Sequence, residues 1–95
     1  MIFKKETDSK KNPTTIRVKY DCGFPNNLFI RGVGAGLTWE KGLPLKNTKP
    51  NEWIWEAKEP FTLCEFKILL NDRTYERGDN HLLAHGEDLS YTPIF

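Results

Sequence analysis

The apolar residues of this chain recur with a period of two in short runs, and turn-forming clusters interrupt the runs about every ten residues. Ile16, Val18 and Tyr20 alternate with Thr15, Arg17 and Lys19 from Thr14 onward, as on a half-buried strand. Residues 28–31 (LFIR) form a second short run, and residues 45–46 allow another. Residues 52–57 (EWIWEA) put Trp53, Trp55 and Ala57 on one face. In residues 64–70, Cys64, Phe66, Ile68 and Leu70 share one face, while Glu65, Lys67 and Leu69 share the other. Residues 74–76 and 89–92 read as short closing strands. The clusters at 23–27 (GFPNN), 47–51 (NTKPN), 71–73 (NDR) and 78–80 (GDN) are turns, and the Gly-rich segment 32–36 (GVGAG) is an inter-strand loop that 39–43 continues. No ten-residue stretch carries a helical stripe. Strands this short, this evenly spaced, predict an all-β sandwich or small barrel.

Length allows one core. Ninety-five residues bury a modest share of their surface. The 14 Lys and Arg nearly balance 13 Asp and Glu, so the net charge of +1 lacks the footprint of a nucleic-acid binder. No apolar run approaches the ~20 residues of a membrane span. Residues 1–13 are polar and Lys-rich without an apolar segment, so they read as a mobile leader rather than a signal peptide, and residues 14–95 as the single domain. A cytoplasmic setting is expected, with Cys22 and Cys64 reduced. Cys64 falls on the apolar strand face, where a thiol is buried.

Catalytic and cofactor patterns are weak. GVGAG lacks the spacing of a dinucleotide loop, because Leu37 stands where the third Gly belongs, and no Gly-Lys-Ser/Thr follows. Neither Ser9 nor Ser90 lies in a Gly-x-Ser-x-Gly elbow. His81 and His85 are spaced as a helical metal pair, but Gly78 and Gly86 bracket them, which predicts a loop with surface histidines. Neither a metal nor a cofactor is expected.

The twelve aromatics are more informative. Trp39 stands between Gly36 and Gly42, beside Glu40 and Lys41, and Tyr75 stands within the charged run 73–77. A pyranose stacks its C–H face on an exposed aromatic plane, and its hydroxyl rim needs mixed donors and acceptors. Lys67, Glu76 and Asn80 supply those.

From Leu28 to about Leu83 the order of these motifs resembles the starch-binding modules of glucoamylases and the glycogen-binding module of the AMP-activated kinase β subunit. The carriers are Asn27-Leu28-Phe29-Ile30-Arg31-Gly32, Gly36-Leu37-Thr38-Trp39, Leu43-Pro44-Leu45, Trp53 with Pro60, Glu65-Phe66-Lys67, and Tyr75-Glu76 with Asn80. The resemblance implies a first sugar site in which Trp39 and Tyr75 stack on glucose and Lys67, Glu76 and Asn80 bond its hydroxyls. Strand parity agrees, since Lys67 points away from Phe66 and Ile68. The resemblance implies a second surface at Phe29 and Trp53, although Trp53 shares a face with Trp55 and Ala57, which favours the core. The sequence departs from the family pattern at Leu43, where a small residue is usual, and at Tyr75, where a second Trp is usual.

The combined expectation is an immunoglobulin-like antiparallel β-sandwich of about seven short strands. It would bind α-glucan (starch, glycogen or maltooligosaccharide) without catalysis and work beside a glucan-active enzyme, with neither nucleic acid nor membrane as a partner. The alternative is a protein-interaction sandwich that keeps the fold without sugar binding and uses Trp39 and Tyr75 as anchors.

Overall fold

A computed structural model describes residues 13–95. The leader expected at 1–13 lies, apart from Pro13, outside the described residues. Among the described residues nine strands form: β1 (Thr14–Lys19), β2 (Leu28–Val33), β3 (Leu43–Pro44), β4 (Lys46–Lys49), β5 (Glu52–Ala57), β6 (Leu63–Leu70), β7 (Thr74–Tyr75), β8 (His81–Ala84) and β9 (Asp88–Tyr91). They make two sheets. The first runs β4-β5-β1-β9, and the second runs β3-β2-β6-β7 with β8 also paired to β6. The expected all-β sandwich is borne out, with nine strands rather than about seven. The closing strand departs from antiparallel order, because β9 runs parallel to β1.

The core lies between the sheets. Ile16, Val18, Trp53 and Trp55 face it from the first sheet; Leu28, Ile30, Cys64, Phe66, Ile68 and Leu83 face it from the second. The alternation read in β1, β2, β5 and β6 is the alternation that fills it. The segment after Gly42 changes sheet. β3 pairs with β2, β4 pairs with β5, and buried Leu45 sits at the crossing, its N–H donating to the Leu28 carbonyl at 3.0 Å.

Two segments read as loops are more ordered. GVGAG is a tight two-residue turn: Leu37 N–H donates to the Gly34 carbonyl at 3.0 Å, with φ of 55° at Ala35 and 83° at Gly36. Positive φ at both central residues matches the right-handed strand twist of a hairpin. The predicted loop around His81 is instead strand β8. Its register with β6 runs from Leu63↔Ala84 to Phe66↔His81, so the apolar Leu82-Leu83-Ala84 run extends the sheet although glycines bracket it.

Candidate functional site

The outer face of the second sheet is set by the odd-numbered residues of β2 and β6. In register, Phe29, Leu69 and Tyr75 form one row, Arg31 and Lys67 the next, and Val33, Glu65 and Leu82 the third. Successive rows are about 7 Å apart along the strand. Two turns bring the Trp39 carbonyl and the Tyr75 hydroxyl to Arg31 on this face.

The first turn carries Trp39. Gly32 N–H donates to the Thr38 carbonyl at 3.1 Å, and the Thr38 hydroxyl bridges to Lys41, accepting from its N–H at 3.2 Å and donating to its carbonyl at 3.3 Å. Trp39 is half-buried there. The second turn joins β6 to β7: Arg73 N–H donates to the Leu70 carbonyl at 3.0 Å, with Asn71 and Asp72 at φ of 54° and 56°. Asn and Asp tolerate that left-handed conformation better than other side chains. Asn71 also stitches the turn to the 23–27 cluster, its Oδ1 accepting from Asn27 N–H at 2.9 Å. Tyr75 follows, 44% exposed.

Arg31 ties the two turns together, a link that sequence reading missed. Its Nε donates to Asp72 Oδ1 at 2.8 Å and its Nη2 to the Asp72 carbonyl at 3.0 Å. Its Nη1 donates to the Trp39 carbonyl at 3.0 Å and to the Tyr75 hydroxyl at 3.4 Å. The guanidinium carbon lies 5.9 Å from the Tyr75 ring centroid, at the outer reach of a cation–π contact. The hydrogen bond to Arg31 holds the Asp72 carboxyl below the usual range, and the same bond pushes Arg31 higher.

Lys67 lies opposite Arg31 across β2 and β6. Like charges face to face repel, and the two heads diverge. Lys67 Nζ turns to the Glu76 carbonyl at 3.0 Å and to the Gly78 carbonyl. Parity placed Lys67 on the outer face correctly, yet its residue is only 9% exposed. An ammonium has three N–H donors, and two of them are spent on these carbonyls. Asn80 is exposed beside it, its Nδ2 donating to Glu65 Oε2 at 2.6 Å. Glu65, Gly78, Asp79, Asn80 and Leu82 line an adjoining concavity of about 480 Å³.

Glu76 is placed differently from the outward hydroxyl acceptor the resemblance implies. The residue is 4% exposed. Its Oε2 accepts from Ile68 N–H and from the Tyr91 hydroxyl, both at 2.7 Å, and its Oε1 lies 3.1 Å from His81 Nε2. The carboxyl therefore joins β6 and β8 of the second sheet to β9 of the first. Burial, with Glu76 as partner, pushes the Tyr91 phenol far above its ordinary value. His81 stacks on Phe66 at 4.9 Å and tilts against Tyr91 at 4.5 Å, while His85 packs edge-on against Phe61. The histidines serve packing, and no group of three His, Cys, Asp or Glu is placed to hold a metal among the described residues.

Phe29 and Trp53 do not share a surface. Phe29 is half-buried on the outer face of the second sheet, beside the Trp39 turn. Trp53 is 4% exposed and points into the core from β5, its Nε1 donating to the Tyr20 carbonyl at 3.1 Å. The rim of Trp53 instead meets a concavity of about 270 Å³ walled by Phe24, Asn26, Asn47 and Pro50. Phe24 is 99% exposed there. The only signal for it in the sequence is an aromatic inside a turn cluster.

Fold and site together define a small β-sandwich module with Tyr75 exposed at one sheet and a half-buried Trp39 in an adjoining turn. Among solved structures, the chain is similar to the glycoside hydrolase family 15 glucoamylase from Hypocrea jecorina, with a TM-score of 0.69 and 16% identity. The match covers 87% of this chain and 17% of that one, and it is a likeness of fold. No protein-family model matches the sequence, and no curated protein matches it.

Proposed function

We propose that this chain is a non-catalytic carbohydrate-binding module for α-glucan. The observation that carries the reading is the outer face of the second sheet, where one guanidinium binds both the Trp39 carbonyl and the Tyr75 hydroxyl. Lys67 and Asn80 continue that face toward a polar concavity. Aromatic faces take the C–H side of a pyranose, and the Lys67 ammonium, Asn80 amide and Tyr75 hydroxyl supply donors and acceptors for its rim. Two aromatics on separate elements suit a curved α-1,4 chain better than a flat β-1,4 strip. Glu76 contributes by holding the Lys67 carbonyl cradle rather than by touching sugar. A weaker second contact falls at Phe24, over Asn26 and Asn47. The likeness of fold to part of a glucoamylase supports the reading and suggests a glucan-active enzyme as the natural companion.

Native gel electrophoresis through soluble glycogen or amylose tests this. Retardation of the folded protein, absent in a cellulose-derivative gel, supports α-glucan binding. Unchanged mobility in every polysaccharide sinks it. We also place the protein in a reducing, cytoplasmic setting, with Cys22 and Cys64 both free.

A further inference from the structure

We propose that Arg31 and Asp72 are positioning residues that set the spacing and angle of Trp39 and Tyr75, and so select for curved glucan. The inference rests on the α-glucan reading and adds a determinant of specificity to it. Most polar groups of both residues are already engaged within the protein. Asp72 Oδ1 is taken by Arg31 Nε, and its Oδ2 accepts from Gly42 N–H at 3.2 Å. Arg31 spends one N–H on each of the Asp72 carboxyl and carbonyl, the Trp39 carbonyl and the Tyr75 hydroxyl.

The pair therefore grips the Trp39 turn at both ends. Arg31 holds it at the Trp39 carbonyl, and Asp72 holds it three residues later at the Gly42 amide. Gly42 shows how close the grip is. A methyl group built on it would overlap the Asp72 carboxyl and press on Phe29 Cβ at 3.0 Å. The same guanidinium reaches Tyr75 on β7, so both aromatics are referenced to one rigid planar group on a central strand. A planar fork of donors at fixed angles does this where an ammonium would not. Asp72 also supplies the anion beside Arg31, which otherwise faces only Lys67 across the strands. Holding ligand contacts in advance removes an ordering cost from binding, and it favours the ligand whose shape matches the preset angle.

The test compares β-cyclodextrin, a rigid curved ring of seven glucoses, with maltoheptaose, its flexible linear counterpart. Titrations use the wild type and the variants Asp72→Asn, Arg31→Lys and Arg31→Met, each well below its melting temperature. In the wild type β-cyclodextrin binds the tighter. Asp72→Asn and Arg31→Met weaken β-cyclodextrin by about tenfold and bring the ratio of the two affinities toward one, the loss expected when preorganisation is removed. Arg31→Lys restores the charge without the fork and regains only part of the preference. The Arg31→Met/Asp72→Asn double variant loses no more than either single change, because the two act as a unit. A smaller folded fraction would lower both affinities equally, so the ratio separates positioning from stability. Asp72→Asn is isosteric, sits on an exposed turn and keeps the carbonyl that Arg31 also uses, so it provides a folded sample. If the wild type binds α-glucan and Asp72→Asn keeps the wild-type ratio, the positioning role is overturned while the function stands. If the wild type binds neither sugar, both readings fall.

Discussion

Replacing Glu76 with Ala should cost stability and leave sugar affinity nearly intact. The carboxyl has three partners: Ile68 N–H and the Tyr91 hydroxyl, both at 2.7 Å, and His81 Nε2 at 3.1 Å. Ile68 is fully buried, so its amide loses its acceptor away from bulk water. Tyr91 is half-buried, and His81 has enough exposure to find water. A buried donor left unsatisfied costs about 1–3 kcal/mol. Counting Ile68 and Tyr91, Glu76→Ala should lose about 2–6 kcal/mol of a total of about 5–15 kcal/mol. At about 4–8 °C per kcal/mol for a domain this small, the melting temperature should fall by at least ~8 °C. Glu76→Gln keeps one carbonyl oxygen and should lose about 1–3 kcal/mol, since its amide nitrogen must face a former donor. Urea melts with an unchanged slope would show that the folded state, not the denatured one, has changed. Glucan titration of Glu76→Ala, well below its melting point, should show less than about a threefold loss, or ~0.7 kcal/mol. A variant that melts like the wild type but binds sugar tenfold worse would refute this placement and return Glu76 to the sugar-facing surface.

Trp53→Ala should destabilise the fold by about 3–5 kcal/mol, because it empties a buried volume between the sheets; thermal melts check this, and a wild-type melt would move Trp53 out of the core. Stability should also depend on pH at both extremes. Asp72 titrates below its ordinary 3.8 in the fold, so its contribution is present above that value and disappears as pH falls through the lower folded pKa; Asp72→Asn should flatten this acid limb. Tyr91, whose folded pKa is raised, contributes stability below its ordinary 10.0 and loses it as pH climbs beyond, so Tyr91→Phe should flatten the alkaline limb. Thiol titration of the denatured chain without reductant should count two, from Cys22 and Cys64; zero would overturn the reducing setting.

Period two carried most of the fold. The runs at 14–20, 52–57 and 64–70 became β1, β5 and β6 within a residue at nearly every end, because a half-buried strand writes its burial directly into the sequence. What it could not write is coverage. Lys67 and Leu69 lie on the outer face as parity requires, yet both are buried, Lys67 by the carbonyls of Glu76 and Gly78. β7 is two residues long, too short for alternation to say which way Glu76 turns. β8 was hidden because flanking glycines outweighed a three-residue apolar run. The change of sheet at Leu45 depends on a pairing with Leu28 that no local pattern shows. The anion of Arg31 lies 41 residues away, and only the register of β2 on β6 brings Asp72 to it.

The central claim is that Trp39 provides the sugar-stacking surface, and its most direct test is a titration of wild type and Trp39→Ala with maltoheptaose, followed by tryptophan fluorescence and calorimetry. A shallow, solvent-rimmed site should give the wild type a dissociation constant of about tens of micromolar to millimolar. Trp39→Ala should lose detectable binding and melt close to the wild type, since the Trp39 turn is held by backbone and by Arg31 rather than by the core. A folded wild type that shows no response at millimolar sugar, or a Trp39→Ala variant that binds as tightly as its parent, would contradict the account.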